Sequence, residues 1–141
     1  DLAHVSPSAF FGALELTKKP VIFSHGNAKK LCDHARNLSD EQLKALAENR
    51  GVIGMSYVPF FVDTKNPTLD RLLDHIDHVV SVAGIDVVGL GSDFDGGGTL
   101  LADAAEVPRI AEGLIKRGYS EGDIRKVLGE NTFRVLRESI G

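Results

Sequence analysis

Four short apolar stretches alternate with helix-like stretches along this chain, and that alternation restricts the fold more than any other feature. Residues 20–26 (PVIFSHG), 52–57 (VIGMSY) and 85–90 (IDVVGL) are brief β-rich runs near proline or glycine. Such runs read as strands buried on both faces. Residues 1–6 (DLAHVS) repeat the plan in abbreviated form, with His4 at the end of a first strand and just before a helix signal.

The intervening stretches carry helix caps. Ser6 before Pro7 offers a capping hydroxyl and a proline at the first helical position, and Phe10, Phe11 and Leu14 follow as an apolar stripe. Ser39 and Gln42 form a capping box, with Leu38 and Leu43 placed to staple it, and the helix runs to Glu48 before Gly51. Residues 57–67 read as a loop holding Phe60 and Phe61. Thr68 caps a helix with Leu69, Leu72, Leu73, Ile76, Val79 and Val80 at helical spacing, and Gly84 closes it. The fourth strand ends in Gly91-Ser92-Asp93-Phe94-Asp95 and three glycines. Helices over 107–116, 120–128 and 131–139 finish the chain.

Strand, helix, strand, helix, strand, helix, strand and helices in that order predict an α/β fold of parallel βα units. Four strands are half of a (β/α)₈ barrel, which in full takes about 250 residues. A small doubly wound sheet is the competing architecture. The chain begins at Asp1 rather than methionine, inside what reads as a strand end, so we expect a piece of a longer protein. Residues 1–141 are expected to be one unit, half of the barrel.

Composition narrows the function. A formal charge of −4 and the lack of a Lys/Arg stripe predict no nucleic-acid partner. No apolar run approaches the about 20 residues a membrane span needs, so no membrane partner is expected. The single cysteine, Cys32, excludes an internal disulfide framework and fits a reducing compartment, the cytoplasm.

Candidate chemistry lies at the strand ends, where α/β proteins place their sites. His4 and His25 sit at successive strand tips, and one strand–helix–strand unit brings them side by side. Neutral imidazole is a common zinc ligand, so the pair is the leading metal candidate. Asp93 and Asp95 alternate across Phe94 and would face one side of a strand. Asp93 is nearer the barrel mouth, whereas Asp95 reads as a turn residue. Arg36, in the loop after the second strand, suits two-pronged binding of a carboxylate. Cys32 with His34 is a weak Cys–His arrangement. His75 and His78 fall in mid-helix and read as structural, on a solvated or capped surface. Gly89 and Gly91 lie near no complete phosphate-loop motif.

The blocks DLAHVS, PVIFSHGNAKKLCDHARNLSDEQ, GVIGMSYVPF, LLDHIDHVVSVAGIDVVGLGSDFDG and RGYSEGDIRKVLGENTFRVLRE together resemble the C-terminal half of the renal (membrane) dipeptidase family of zinc peptidases. The resemblance covers nearly the whole chain, in order. It implies the last four βα units of a (β/α)₈ barrel with two zinc ions at the mouth. It implies hydrolysis of dipeptides by a metal-bridging water that attacks the peptide carbonyl. It further implies that His4 and His25 ligate zinc and that Arg36 engages the substrate's terminal carboxylate. Asp93 would hold the substrate's amino end and move protons, and Tyr57 would line the pocket. The family's HxD zinc motif, bridging glutamate and a further substrate histidine lie upstream of the matched blocks. Residues 99–107 (TLLADAAEV) depart from the family's usual loop, which leaves substrate choice open.

Two rival expectations stand beside this one. The first is a related metal-dependent amidohydrolase of another substrate. The second is a non-catalytic fragment that needs its missing half. A half barrel leaves sheet edges open, which predicts association, as a homo-oligomer or with a partner half.

Overall fold

The computed structural model describes all of residues 1–141. Helix α1 (Pro7–Leu16) is followed by strand β1 (Ile22–Gly26), helix α2 (Asp40–Glu48) and strand β2 (Val52–Ser56). The single-turn α3 (Pro59–Val62), the long α4 (Leu69–Ala83) and strand β3 (Val88–Ser92) come next. Helices α5 (Pro108–Lys116), α6 (Glu121–Arg125) and α7 (Asn131–Ile140) complete the chain.

The caps act as their residues dictate. Ser39 accepts the Gln42 N–H while Gln42 Oε1 accepts the Ser39 N–H, a complete capping box. The Ser6 hydroxyl accepts from Ala9 and the Thr68 hydroxyl from Arg71. Gly84 ends α4 at φ 89, a left-handed value that glycine adopts without penalty.

The three strands are parallel and adjacent in chain order, β1-β2-β3. Helices α1, α2, α4 and α5 pack side by side in a row. The core lies between them and the strands, around Phe10, Leu43, Ile53, Met55, Leu72 and Ile76, all fully buried. The sheet curls tightly. A Cβ at Gly54 or at Gly91 would stand only 2.2 Å from the Ser24 carbonyl oxygen of β1. Glycine at both positions is what lets β1 and β3 approach each other across β2.

Three expectations need correction. Residues 1–6 form no strand; a single backbone bond, Leu2 N–H to Ile22 O at 2.8 Å, lays them beside β1. The last strand begins at Val88, because Ile85–Val87 first make a 3₁₀ turn after Gly84. The apolar run over 85–90 looks alike in either state. The loop over 57–67 contains α3, which Pro59 starts at its first position.

Candidate metal and substrate site

The C-terminal ends of all three strands gather the chemistry-bearing residues at one edge of the molecule. His25 is on β1, one residue before its end, and Arg36 is in the loop that follows. Tyr57 follows β2 directly, and Asp93 follows β3 directly. His4 reaches the same place from the turn before α1. That turn is held to β1 by the Asp1 carboxylate, which accepts N–H bonds from Ala3 at 2.9 Å and Ser24 at 3.1 Å.

His25 is the centre of the group. Its Nε2 lies 2.7 Å from Arg36 Nη2, 3.0 Å from His4 Nε2 and 4.0 Å from Asp93 Oδ2. A guanidinium only donates, so His25 Nε2 must present its lone pair. The proton then sits on Nδ1, which donates to the Ser24 hydroxyl at 2.9 Å. Burial holds the His25 pKa below its ordinary value, outweighing the raising pull of Asp93, with Arg36 and His4 adding to the depression. The ring is therefore neutral at pH 7 with a fixed tautomer, the state a metal-binding histidine needs.

The two Nε2 atoms, 3.0 Å apart, are within reach of one N–H···N hydrogen bond from His4 to His25, and they are also close enough to face one cation together. Nitrogens each about 2.0–2.1 Å from one zinc ion stand about 3 Å apart or slightly more. His4 and His25 thus fit two ligands of one ion. No group of three or more His, Cys, Asp or Glu side chains that could hold a metal ion converges on a common point. A metal on His25 Nε2 and the Arg36 hydrogen bond to that atom are mutually exclusive.

Backbone strain marks the same edge. Only four non-glycine residues have positive φ, and three of them are His4 (70°), Ser92 (28°) and Asp93 (63°). Left-handed backbone costs about 1–2 kcal/mol for an ordinary residue. Such outliers concentrate at functional sites. Asp93 is accordingly in a turn, its carbonyl accepting the Gly96 N–H, and not in a strand. The expectation that Asp93 and Asp95 share one strand face fails for that reason, and Asp95 is exposed. Tyr57 is buried under Phe94, ring centroids 5.6 Å apart, and burial pushes its hydroxyl up to about 12.

A buried amide and imidazole network holds the Arg36 loop. Asn37 accepts the Asn27 N–H and donates to the carbonyls of Cys32 and Phe61. His75 of α4, fully buried, accepts the Ala28 N–H at 3.0 Å and donates to Val62 O at 2.8 Å. His75 is thus structural as expected, but it is a core strut and not a solvated surface residue. His78 pairs with Asp40. Cys32 is buried, bonds Phe60 O, and burial raises its thiol pKa, which removes the Cys–His idea. The sequence reading missed Asp1, Ser24, Asn27 and Asn37. Ser24 had a signal, a hydroxyl beside a strand-end histidine, whereas the asparagines look like ordinary turn residues.

A shallow cleft of about 330 Å³ opens beside His4, Phe23 and Arg36. A larger cavity, about 440 Å³, is at the opposite end of the strands among Arg50, Asp86, Lys126 and Arg134. Lys126 pairs with Asp86, Arg134 with backbone carbonyls, and Arg50 and Glu130 with Glu138 and Arg125 outside the cavity, so we assign no chemistry to it.

The profile of the membrane dipeptidase family (peptidase family M19) matches residues 1–140. The chain belongs to that family. It is 41% identical over 143 residues to the dipeptidase tcpJ of Claviceps purpurea (strain 20.1), covering 98% of this chain and 34% of that protein. The solved structure of dipeptidase AC, a metallopeptidase, superposes with a TM-score of 0.91 at 32% identity, covering 99% of this chain and 43% of that one. A Rhodobacter sphaeroides metallopeptidase, solved with a phosphinate mimic of the dipeptide L-Ala-D-Ala, gives a TM-score of 0.91 at 31% identity over 99% of this chain and 42% of that one. This membrane dipeptidase family chain therefore spans about a third to a half of the length of its relatives. No helix in it is long and apolar enough to cross a membrane.

Proposed function

We propose that residues 1–141 are the C-terminal half of a (β/α)₈ barrel, with α1 standing before the three strands formed here, and supply half of the active site of a zinc-dependent dipeptidase. Parallel strands adjacent in chain order, with a row of helices beside them, support the barrel over a doubly wound sheet. One observation carries the function: the convergent Nε2 atoms of His4 and His25, with a cation donor and a carboxylate within 4.0 Å of the same nitrogen.

His4 and His25 would hold the metal, and Ser24 keeps the His25 lone pair turned toward it. Zinc bound there supplies a Lewis acid and an acidified water for amide hydrolysis. The chain's other residues do the positioning. Arg36 presents donors suited to the terminal carboxylate of a dipeptide. Asp93 would offer an acceptor to the substrate's ammonium group and would pass a proton to the departing amine. Opposite charges flanking His25 select a short zwitterion and measure its length. Tyr57, held by backbone bonds to Ser92 and Leu100, forms the wall between β2 and β3.

Kinetics on the chain assembled with the family's N-terminal half test this reading. Arg36→Ala is expected to raise KM for dipeptides at least tenfold, with a smaller change in kcat, because binding of the remote carboxylate is lost. An unchanged KM contradicts the role given to Arg36. A second reading, hydrolysis of a different amide, is favoured by an amidohydrolase structure from Pseudomonas aeruginosa that matches at TM-score 0.86 and 31% identity. A panel of dipeptides and lactones separates the two.

A further inference from the structure

Arg50, Arg71, Arg109, Arg117 and Arg125 all pair with carboxylates. Arg36 does not. Its guanidinium makes one hydrogen bond, from Nη2 to the neutral His25 ring at 2.7 Å, and its Nε is buried without a partner. The group also lies over the Phe61 ring, 5.5 Å from the centroid. The backbone beneath it is fixed. The Arg36 N–H donates to His34 Nδ1 at 3.2 Å, and a Cβ on Gly26 would stand 2.7 Å from the Arg36 carbonyl oxygen. Asn37, the next residue, is tied to Asn27, Cys32 and Phe61. The loop therefore carries the guanidinium to the end of β1, and only the side chain is free to turn.

His25 Nε2 has one lone pair, and Arg36 Nη2 is directed at it. A metal ion coordinated by that nitrogen needs the same electrons along the same direction. The Arg36 bond must then break. The guanidinium keeps its charge once it turns away, and no other hydrogen-bond acceptor engages it. A part-buried charged donor without a partner is unfavourable. A carboxylate satisfies two of its N–H groups at once.

We propose that Arg36 holds the metal's place on His25. Arg36 gives up Nε2 when a cation binds there, and the released guanidinium becomes a receptor for a carboxylate. Metal and carboxylate then strengthen each other's binding through Arg36, because equilibrium linkage is reciprocal. The carboxylate half of this statement rests on the role given to Arg36 above. The release rests on the geometry at His25 and goes beyond that role, since it makes Arg36 an exchanger of partners and not a fixed clamp.

The test measures the zinc affinity of the chain by competition with a chromophoric chelator. Wild type and Arg36→Gln are compared, each with and without N-acetylglycine, a carboxylate that has no ammonium group. Arg36→Gln is expected to bind zinc about tenfold more tightly or better. N-acetylglycine should tighten zinc binding by the wild-type chain about fivefold or more and leave the variant unchanged. Loss of a positive charge would by itself favour zinc, so a second readout isolates the exchange. Solvent exchange of the Arg36 guanidinium protons, followed by NMR in the wild-type chain, should quicken about tenfold when zinc saturates the site. Amide spectra verify that the variant keeps its fold. Equal zinc affinity of the two chains, or guanidinium exchange indifferent to zinc, overturns the release and leaves the metal centre standing. Zinc binding by neither chain overturns the release together with the His4–His25 centre. An N-acetylglycine effect that persists in Arg36→Gln, or is missing from the wild type, overturns the linkage and with it the carboxylate role of Arg36.

Discussion

His75 shows how much a single buried residue can decide. Its Nδ1 holds the loop after β1 and its Nε2 holds the turn after β2, so only the neutral ring serves both. Burial keeps its pKa below the ordinary value. An unfolded histidine takes a proton near pH 6.5. Stability is therefore complete above about pH 6.5 and falls as the pH drops below it, since the unfolded chain binds the proton first. His75→Ala should flatten that slope in urea titrations between about pH 5 and 7 and lower stability by about 2 kcal/mol or more through two lost buried hydrogen bonds. A slope unchanged by the substitution contradicts the role. Asp93 presents the opposite case, a residue whose backbone disfavours it. Asp93→Gly should leave stability unchanged or raise it by about 1 kcal/mol by relieving φ 63°, read from the denaturation midpoint. A marked loss of stability would falsify the account of strain held for function. At this scale the pairing of His4 with His25 was legible from their places before α1 and at the end of β1, although residues 1–6 form no strand and reach β1 through one backbone bond. The strain was not legible, since an aspartate gives no sign of a left-handed backbone where glycine would.

The elements were legible wherever a cap announced them. Ser6, Ser39, Thr68 and Gly84 start or end helices in the structure as their chemistry predicts. Ser39→Ala should cost about 1 kcal/mol, measured by chemical denaturation, because the capping box loses its acceptor. Strand boundaries were less legible. Burial on both faces removes the alternation that would fix them, so IDVVGL fits a 3₁₀ turn and a strand equally well. The curl of the sheet was invisible, because it depends on Gly54 and Gly91 meeting the Ser24 carbonyl from different strands. Gly54→Ala should be severely destabilising, since its Cβ would fall 2.2 Å from a backbone oxygen that cannot move aside. A thermal midpoint within a few degrees of wild type would contradict the close approach.

At the scale of the whole molecule, the chain is a curled parallel sheet with its site residues at one end and α7 beneath the other. The chain covers less than half of dipeptidase AC and of the Rhodobacter sphaeroides metallopeptidase, and it has open sheet edges and exposed apolar side chains on α7. These edges and side chains predict that the chain alone self-associates at high concentration, seen as a concentration-dependent mass in light scattering. Sequence blocks located the family and the site edge. They did not show that no third His, Cys, Asp or Glu side chain joins His4 and His25 at a common point, which depends on the three-dimensional placement of every acid. The central claim is that His4 and His25 form one half of a metal centre, and the most direct measurement is nitrogen-detected NMR of the five histidines during zinc titration. The account predicts that the Nε2 resonances of His4 and His25 shift together and saturate at one zinc per chain, while His75 does not respond. Independent responses of His4 and His25, or a first response at His34 or His78, would contradict it.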